Sequence, residues 1–129
     1  MTVLWVALGG ALGASLRYGV ALALAPVSRW ALATLLANVV GSLLLGGFMA
    51  WWLPRAAVVG ESLRLFVAIG LLGGFTTFST FSYDTLAMAF SGRPLAAAIN
   101  VVVNLTGALG AVWLGWWLMR GWASGAGAV

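Results

Sequence analysis

Long stretches without a charged side chain are the feature that most constrains this sequence. Segments 30–54, 65–83 and 94–119 hold 25, 19 and 26 consecutive uncharged residues. A helix needs roughly 20 apolar residues to cross a bilayer core about 30 Å thick. Each segment therefore predicts a transmembrane helix. A first span of similar length is predicted if Arg17 is tolerated inside it.

These segments predict one all-α transmembrane domain over residues 1–120. Proline residues near the segment ends favour helix boundaries there, because proline interrupts helical hydrogen bonding. The four spans are expected at about 3–25, 30–53, 65–90 and 95–119. Residues 121–129 are rich in glycine and alanine, and we expect them to form a flexible C-terminal tail.

Composition excludes most enzyme classes. The chain is 64% apolar and 6% charged, whereas soluble domains are about 25% charged. The sequence has no His and no Cys, so it cannot build a zinc site, a Ser-His-Asp triad or a Cys-His dyad from its own residues. Its six arginines are scattered, which argues against nucleic-acid binding. We predict an integral membrane protein that is not an enzyme.

Loop charge leaves the orientation in the membrane open. With four spans, Arg55, Arg64 and Arg120 fall on one side and Arg29 and Arg93 on the other. Three against two is a weak bias under the positive-inside rule. The chain can therefore insert in both orientations and pair with an inverted copy, or it can insert in the one orientation that the small excess favours.

Small residues recur at spacings typical of close helix packing. Such pairs let backbones approach each other where no hydrophobic force drives helices together. Their density suggests an oligomer, and packing inside one subunit is the alternative. The pairs are Gly9 with Gly13, Ser42 with Gly46, Gly70 with Gly74, and Ala111 with Gly115.

The third span contains a segment that is a poor helix former. Gly73 and Gly74 are followed by Phe75 and two threonines, which predicts a break in the middle of the membrane. Non-helical backbone survives at that depth only where it is buried in protein or lines a cavity. The carbonyl groups released by a break are suited to a small cation.

Polar and aromatic side chains cluster in the spans. Phe78 and Phe81 share a helix face, with Ser79 and Thr80 beside them. Ring edges are electropositive, so rings, hydroxyls and an amide can line an anion route as weak donors. Packing against lipid or protein is the alternative for the rings. Interhelical hydrogen bonding is the alternative for the intramembrane amides of Asn38, Asn100 and Asn104.

Three motifs give the sequence a family resemblance along nearly its whole length. The first span reads GGALGASLRY from Gly9, the second reads NVVGS from Asn38, and the third reads GGFTTFSTFS from Gly73. In this order they resemble the GGxxGxxxR, NxxGS and GGFTTFSTFS motifs of the CrcB/Fluc family of fluoride channels. The last motif is long and specific.

The resemblance implies a passive fluoride channel of the inner membrane that exports fluoride and so relieves its toxicity. It implies an antiparallel homodimer of inversely inserted subunits with two pores. It also implies a sodium ion at the dimer centre, bound by backbone carbonyls of Gly73 and Thr76. The residues implied along the fluoride pathway are Asn38, Phe78, Ser79, Thr80, Phe81 and Asn104, and Arg17 is implied near the pore mouth. The alternative for Arg17 is a structural role, in which it reaches the membrane interface or pairs with a carbonyl or carboxylate group.

Two departures from the family pattern concern polar positions. Asp84 stands where relatives often have glutamate, and Asn100 and Asn104 fall where relatives vary. Two other functions remain open. A proton-coupled small multidrug exporter needs a carboxylate deep in the membrane, and here the two acids are Glu61 in a loop and Asp84 toward the end of the third span. A structural membrane subunit without transport is the other alternative.

Overall fold

The computed structural model describes residues 1–26 and 31–125, and within them it is helical almost throughout. Four helical segments are long and apolar enough to cross a membrane. They lie close to the predicted spans, so the predicted all-α architecture with four spans is confirmed. The segments are Thr2–Leu24, Ala31–Val59, Glu61–Phe90 and Pro94–Trp122.

The first two spans begin with uninterrupted helices. Helix α1 covers Thr2–Leu24 and α2 covers Ala31–Trp52. A turn of 3₁₀-helix at Leu53–Arg55 and a short α3 at Ala56–Val59 continue the second span. Gly60 then adopts a φ of +81°, a conformation that glycine alone reaches at little cost, and it ends this segment.

The third span is built from several helical pieces. Helix α4 covers Glu61–Arg64, a π-helix covers Leu65–Leu72 and α5 covers Gly73–Phe75. Thr76 and Thr77 have extended backbone, and α6 then covers Phe78–Phe90. The two glycines that suggested a break are themselves helical, and the extended residues are the β-branched threonines that follow. The π-helix was not predicted.

The last helix is longer than the sequence suggested. Helix α7 covers Pro94–Gly125 and starts with proline, which suits the first helical position. The prediction that the helix ends near 119 and a tail begins at 121 is therefore wrong for residues 121–125. Alanine is the best helix former, and each glycine costs only about 1 kcal/mol, so the helix continues. Residues 126–129 and the loop residue Arg29 lie outside the described residues.

Glycines let two pairs of helices approach within backbone contact. A Cβ on Gly13 of α1 would lie 2.0 Å from the carbonyl oxygen of Leu71 in the third span. A Cβ on Gly46 of α2 would lie 2.0 Å from the carbonyl oxygen of Val112 in α7. Of the two interpretations of the small-residue pairs, these contacts support packing inside one subunit.

Candidate functional site

Thr76 and Thr77, the two extended residues between α5 and α6, form an interruption in the third span. Asn38 of α2 forms hydrogen bonds with this interruption. Its Oδ1 accepts a hydrogen bond of 2.8 Å from the Thr77 backbone N–H, and its Nδ2 donates to the Thr77 carbonyl at 3.2 Å. The side-chain amide thus satisfies both polar groups of an extended residue, as a neighbouring strand would. An unpaired backbone group in a membrane costs several kcal/mol. The hydrogen bonds from Asn38 therefore offset the free-energy cost of an extended residue inside the span.

Gly41 lies one helical turn beyond Asn38, and it makes room for the interruption. A Cβ at Gly41 would lie 2.3 Å from the Thr76 methyl carbon. Residues three apart share a helix face, so the amide and the gap meet the same segment. The asparagine and glycine of the NVVGS motif hence serve one local structure.

Because of the interruption, the carbonyls of Gly73 and Thr76 do not accept the N–H hydrogen bonds that they would accept in a continuous helix. In a helix, the N–H of residue i+4 donates to the carbonyl of residue i. The Thr77 N–H donates to Asn38 instead of Gly73, and the Thr80 N–H donates to Thr77 Oγ1 at 3.2 Å instead of to Thr76. Thr77 Oγ1 thereby caps α6. Gly73 is exposed and Thr76 is half-buried.

The cation ligands that this site offers are neutral oxygens, among them the backbone carbonyls of Gly73 and Thr76. Within residues 1–26 and 31–125 there is no group of three or more His, Cys, Asp or Glu residues that would hold a metal ion. Backbone oxygens suit hard cations such as sodium, which prefer oxygen ligands. The chemistry of the donor set therefore fits the sodium ion that the family resemblance implies.

Arg17 of α1 reaches the same region from the opposite side. Its Nε donates to the Gly74 carbonyl at 3.3 Å, one residue beyond Gly73. The side chain is half-buried, and it carries a full positive charge among apolar helices. The structure thus places Arg17 beside the interruption and ties α1 to α5.

A cavity of about 230 Å³ adjoins the interruption. It brings together five of the predicted site residues, from α2, α6, α7 and the interruption itself. The rings of Phe78 and Phe81 have centroids 5.3 Å apart and planes 59° apart. Phe81 is 6% exposed and Phe78 is 71% exposed, so one ring is packed inside the subunit and the other faces outward. The predicted residues lining the cavity are Asn38, Thr76, Phe78, Phe81 and Asn104.

The two predicted hydroxyl residues are not in this lining. Thr80 lines a second cavity, of about 340 Å³, together with Thr34 and Asp84. Ser79 is exposed, and its hydroxyl lies 3.2 Å from Thr77 Oγ1. Successive side chains on a helix point about 100° apart, so adjacent hydroxyls in α6 face different surroundings.

Asp84 is buried, with 4% of its surface exposed. Its Oδ2 accepts a hydrogen bond of 2.8 Å from the Thr34 hydroxyl of α2. A buried carboxylate in a transmembrane segment is costly and usually has a partner or a function. The contact joins α6 to α2 next to the second cavity.

Three residues of this region were not predicted from the sequence: Thr34, Thr77 and Thr85. Thr34 pairs with Asp84, and Thr77 supplies both the backbone that Asn38 binds and the cap of α6. Thr85 Oγ1 accepts a hydrogen bond of 2.8 Å from Asn100 Nδ2. Thr77 could have been found from its place in the GGFTTFSTFS motif, whereas Thr34 and Thr85 have no sequence signal beyond a hydroxyl within a span.

Fold and site together define a class: a multi-pass α-helical membrane protein whose third span is interrupted and held by a side-chain amide. Residues 4–116 match the family described as "CrcB-like protein, Camphor Resistance (CrcB)". The chain belongs to this CrcB family.

Similar proteins from several bacteria bear one name, "Fluoride-specific ion channel FluC". The protein of Hyphomonas neptunium is 42% identical over 120 residues, covering 91% of this chain and 94% of its own length. That of Anaeromyxobacter dehalogenans is 43% identical over 132 residues, covering 95% and 98%. That of Idiomarina loihiensis is 43% identical over 109 residues, covering 83% of each chain.

Proposed function

We propose that this protein is a fluoride-selective passive channel, and not an enzyme, that exports fluoride across the inner membrane and so relieves fluoride toxicity. Its family and the printed name of its relatives support this. The structural observation that carries the proposal is the 230 Å³ cavity, which gathers two aromatic rings and two amides beside the interruption.

The cavity suits an anion that must be held weakly. Phe78 and Phe81 offer electropositive ring edges and carry no charge that would trap the ion. Asn38 and Asn104 complete the lining of this cavity, and Ser79 and Thr80 would offer hydroxyl donors on the same helix as the rings, at points of the route outside it. A small, strongly hydrated anion needs such closely placed polar groups to replace its water.

We propose further that the chain works as an antiparallel homodimer. Phe78 is a large apolar ring with 71% of its surface exposed, at the edge of a cavity, and a second subunit would enclose it. The weak charge bias of the loops supports insertion in both orientations. In this arrangement the interruption lies at mid-membrane, near the middle of the Glu61–Phe90 span, and two pores result.

The proposed dimer would bring two interruptions together around one sodium ion. Gly73 and Thr76 would supply backbone oxygens, because the donors that a helix would offer them bond elsewhere. The ion would act as a structural cation between the subunits. Arg17 lies close enough to bond Gly74, so it would hold the backbone next to this site as well as contribute positive charge near the pore mouth.

A specific observation keeps one alternative open to test. Asp84 is a buried carboxylate in a span, as a proton-coupled exporter would require. Its position in the second half of the third span, bonded to Thr34, is the feature that such an exporter would have to use. A structural subunit would transport nothing.

One experiment separates the three functions. Purified protein is reconstituted into liposomes loaded with fluoride, and efflux is followed with a fluoride electrode, with and without a proton gradient. A channel releases fluoride in both conditions and releases little chloride. A multidrug exporter and a structural subunit would both release no fluoride, and only the exporter would move a cationic dye when the proton gradient is imposed. Repeating the assay without sodium tests the cation, since its loss is expected to slow or abolish efflux.

Topology has its own test because the sequence contains no cysteine. Ala57 and Ser91 are exposed and lie close to the two ends of the third span, which a four-span topology would place on opposite sides of the membrane. Ala57→Cys and Ser91→Cys are labelled in whole cells with a membrane-impermeant maleimide. Dual insertion predicts about half labelling at each site, whereas one orientation gives full labelling at one site and none at the other.

A further inference from the structure

We infer that Asn100 and Thr85 are positioning residues, which fix the interruption of the third span through a one-way chain of side-chain hydrogen bonds. The chain starts at the Thr77 N–H, passes through three asparagines and ends at a backbone carbonyl one turn into α6. It links α2, α6 and α7. The inference rests on the proposed function only in naming fluoride efflux as one of its readouts.

The geometry of the chain is continuous. Thr77 N–H donates to Asn38 Oδ1 at 2.8 Å, and Asn38 Nδ2 donates to Asn104 Oδ1 at 3.2 Å. Asn104 Nδ2 donates to Asn100 Oδ1 at 2.9 Å, and Asn100 Nδ2 donates to Thr85 Oγ1 at 2.8 Å. The Thr85 hydroxyl then donates to the Phe81 carbonyl at 2.8 Å.

Both ends fix the direction of the chain. A backbone N–H can only donate and a backbone carbonyl can only accept. Asn38 must therefore turn its oxygen toward Thr77, and this forces Asn104 and then Asn100 to turn their oxygens the same way. Every amide has one orientation that satisfies its neighbours. Aligned bonds polarise one another, so the chain is stronger than isolated pairs.

Burial makes the chain hard to replace with water. Asn104 is 3% exposed and Asn100 is 9% exposed. Asn104 Nδ2 also donates to the Asn100 carbonyl at 3.1 Å, and Asn38 Nδ2 also donates to the Thr77 carbonyl. The two protons of each of these amides thus have protein acceptors. The anion's donors in this arrangement are the hydroxyls and ring edges, and the amides of Asn38 and Asn104 shape the route.

The hydrogen-bond chain affects the proposed sodium site through the Gly73 carbonyl. As long as Asn38 holds the Thr77 N–H, that donor is kept from the Gly73 carbonyl. Loosening the far end of the chain frees Asn38 to rotate and lets Thr77 return to a helical bond with Gly73. Asn100 and Thr85 do not line the 230 Å³ cavity, yet they hold in place the far end of the hydrogen-bond chain to which the lining amides belong.

The hydrogen-bond chain can be observed directly, because all three asparagines of the sequence belong to it and the sequence contains no glutamine. Protein labelled with ¹⁵N-asparagine gives only three side-chain amide groups in an NMR spectrum. Thr85→Val removes the hydroxyl at the far end, and we expect it to shift the amide signals of all three residues. Thr85→Ser restores the hydroxyl and should return the signals close to their original positions.

Thr106→Val is the matched control. Thr106 lies on α7 like the two asparagines, but its hydroxyl bonds only within its own helix, to the Val102 carbonyl at 2.7 Å. It should leave the Asn38 signals in place. Should Thr85→Val not yield folded protein, Thr85→Ala removes the same hydroxyl without adding bulk.

Transport provides the second readout. Thr85→Val should lower fluoride efflux about five-fold, the factor corresponding to one neutral hydrogen bond, and Thr85→Ser should stay within about two-fold of the original protein. Shifts confined to Asn100 in the valine variant would overturn the proposed coupling. If the original protein shows no efflux while the three signals still move together, the proposed function fails and the chain stands.

Discussion

The two halves of the third span are held by different kinds of contact. Before the interruption, the π-helix at Leu65–Leu72 lies against α1 with backbone almost touching backbone, since a Cβ on Gly70 would lie 2.8 Å from the Gly9 Cα. After the interruption, α6 is joined to its neighbours by polar side chains, as in the bonds from Asn100 to Thr85 and from Thr34 to Asp84.

The two halves therefore differ in the substitutions that they tolerate. A glycine contact excludes any side chain but is indifferent to its polarity, so the first half is sensitive to added volume. A hydrogen bond depends on which atom donates and which accepts, so the second half is sensitive to polarity even when shape is preserved. The interruption lies where one kind of contact gives way to the other, and substitutions of each kind should separate the halves.

The largest effect is expected from adding volume to the first half. Gly13→Val places a Cβ 2.0 Å from the Leu71 carbonyl oxygen, and backbone cannot move aside as a flexible side chain would. We expect a loss of more than about 3 kcal/mol in stability, seen as lost monodispersity and a lower midpoint of thermal unfolding in detergent.

Gly10→Val is the matched control on the same helix, because a Cβ there meets nothing within 4 Å inside the subunit. It should unfold close to the original temperature. Equal destabilisation by both variants would show that the close contact at Gly13 is not the cause, since valine is a better helix former than glycine and propensity alone predicts no loss at either position.

The second half should respond to a change of polarity without a change of shape. Asn38→Asp keeps an acceptor for the Thr77 N–H but cannot donate to the Thr77 carbonyl or to Asn104 Oδ1. Both groups lose their donor, and one of them is backbone that can only accept. We expect a loss of about 2 kcal/mol in stability and a fall of more than about ten-fold in fluoride efflux.

Asn100→Asp makes the same change and adds the same charge, but its consequence differs. Asn100 donates to a hydroxyl, which can turn and donate to the new carboxylate instead. Stability should therefore fall less than in Asn38→Asp, as measured by the same thermal unfolding. If the two variants lose equal stability, the added charge and not the hydrogen-bond direction is responsible.

How much of this was readable in the sequence depends on the kind of contact. The uncharged segments predicted three of the four spans, because bilayer thickness fixes their length, and the first span could be predicted only by allowing Arg17 inside it. The motif NVVGS singled out Asn38, but only the structure reveals that it binds Thr77. The link between Asn100 and Thr85 depends on how α6 and α7 pack, and no local pattern encodes that.

The interruption shows the same limit on a finer scale. Gly73 and Gly74 suggested a weak helix, yet both are helical and Gly74 serves a close approach to Gly10, whose carbonyl oxygen would lie 2.8 Å from a Cβ. The extended residues are Thr76, whose N–H still donates to the Leu72 carbonyl at 3.0 Å, and Thr77, whose N–H and carbonyl are both bonded by Asn38 of another helix. Propensity is a weak indicator where tertiary contacts replace the helical bonds.

A smaller effect distinguishes the two rings. Phe78→Ile and Phe81→Ile each remove a ring edge from the cavity, and we expect fluoride efflux to fall by up to about ten-fold in both. Only Phe81 is buried, so only Phe81→Ile should also lower stability, by about 1 kcal/mol. Liposome efflux and thermal unfolding measure the two effects separately.

Phe90→Ile is the control, since Phe90 lies at the end of the same helix and is 82% exposed. It should change neither quantity appreciably. Unchanged efflux in both Phe78→Ile and Phe81→Ile would remove the rings from the proposed pathway, while a loss in Phe90→Ile alone would place the route elsewhere on α6.

The smallest effect concerns Arg17, a long polar side chain of α1 that bonds the first half of the third span. Arg17 Nε donates to the Gly74 carbonyl at 3.3 Å, and glutamine carries its amide nitrogen the same number of bonds from the backbone. Arg17→Gln therefore keeps a donor and removes the charge, whereas Arg17→Met removes both. A single hydrogen bond predicts a loss of about 1 kcal/mol in the stability of the methionine variant and little in that of the glutamine variant.

If Arg17 acts instead by attracting fluoride through its charge, the two variants should lose efflux equally, and the loss should shrink as salt screens the charge. Efflux retained in Arg17→Gln and lost in Arg17→Met would mean that the arginine acts on the interruption through one carbonyl, so that even the glycine-packed half depends on a directed bond at this point.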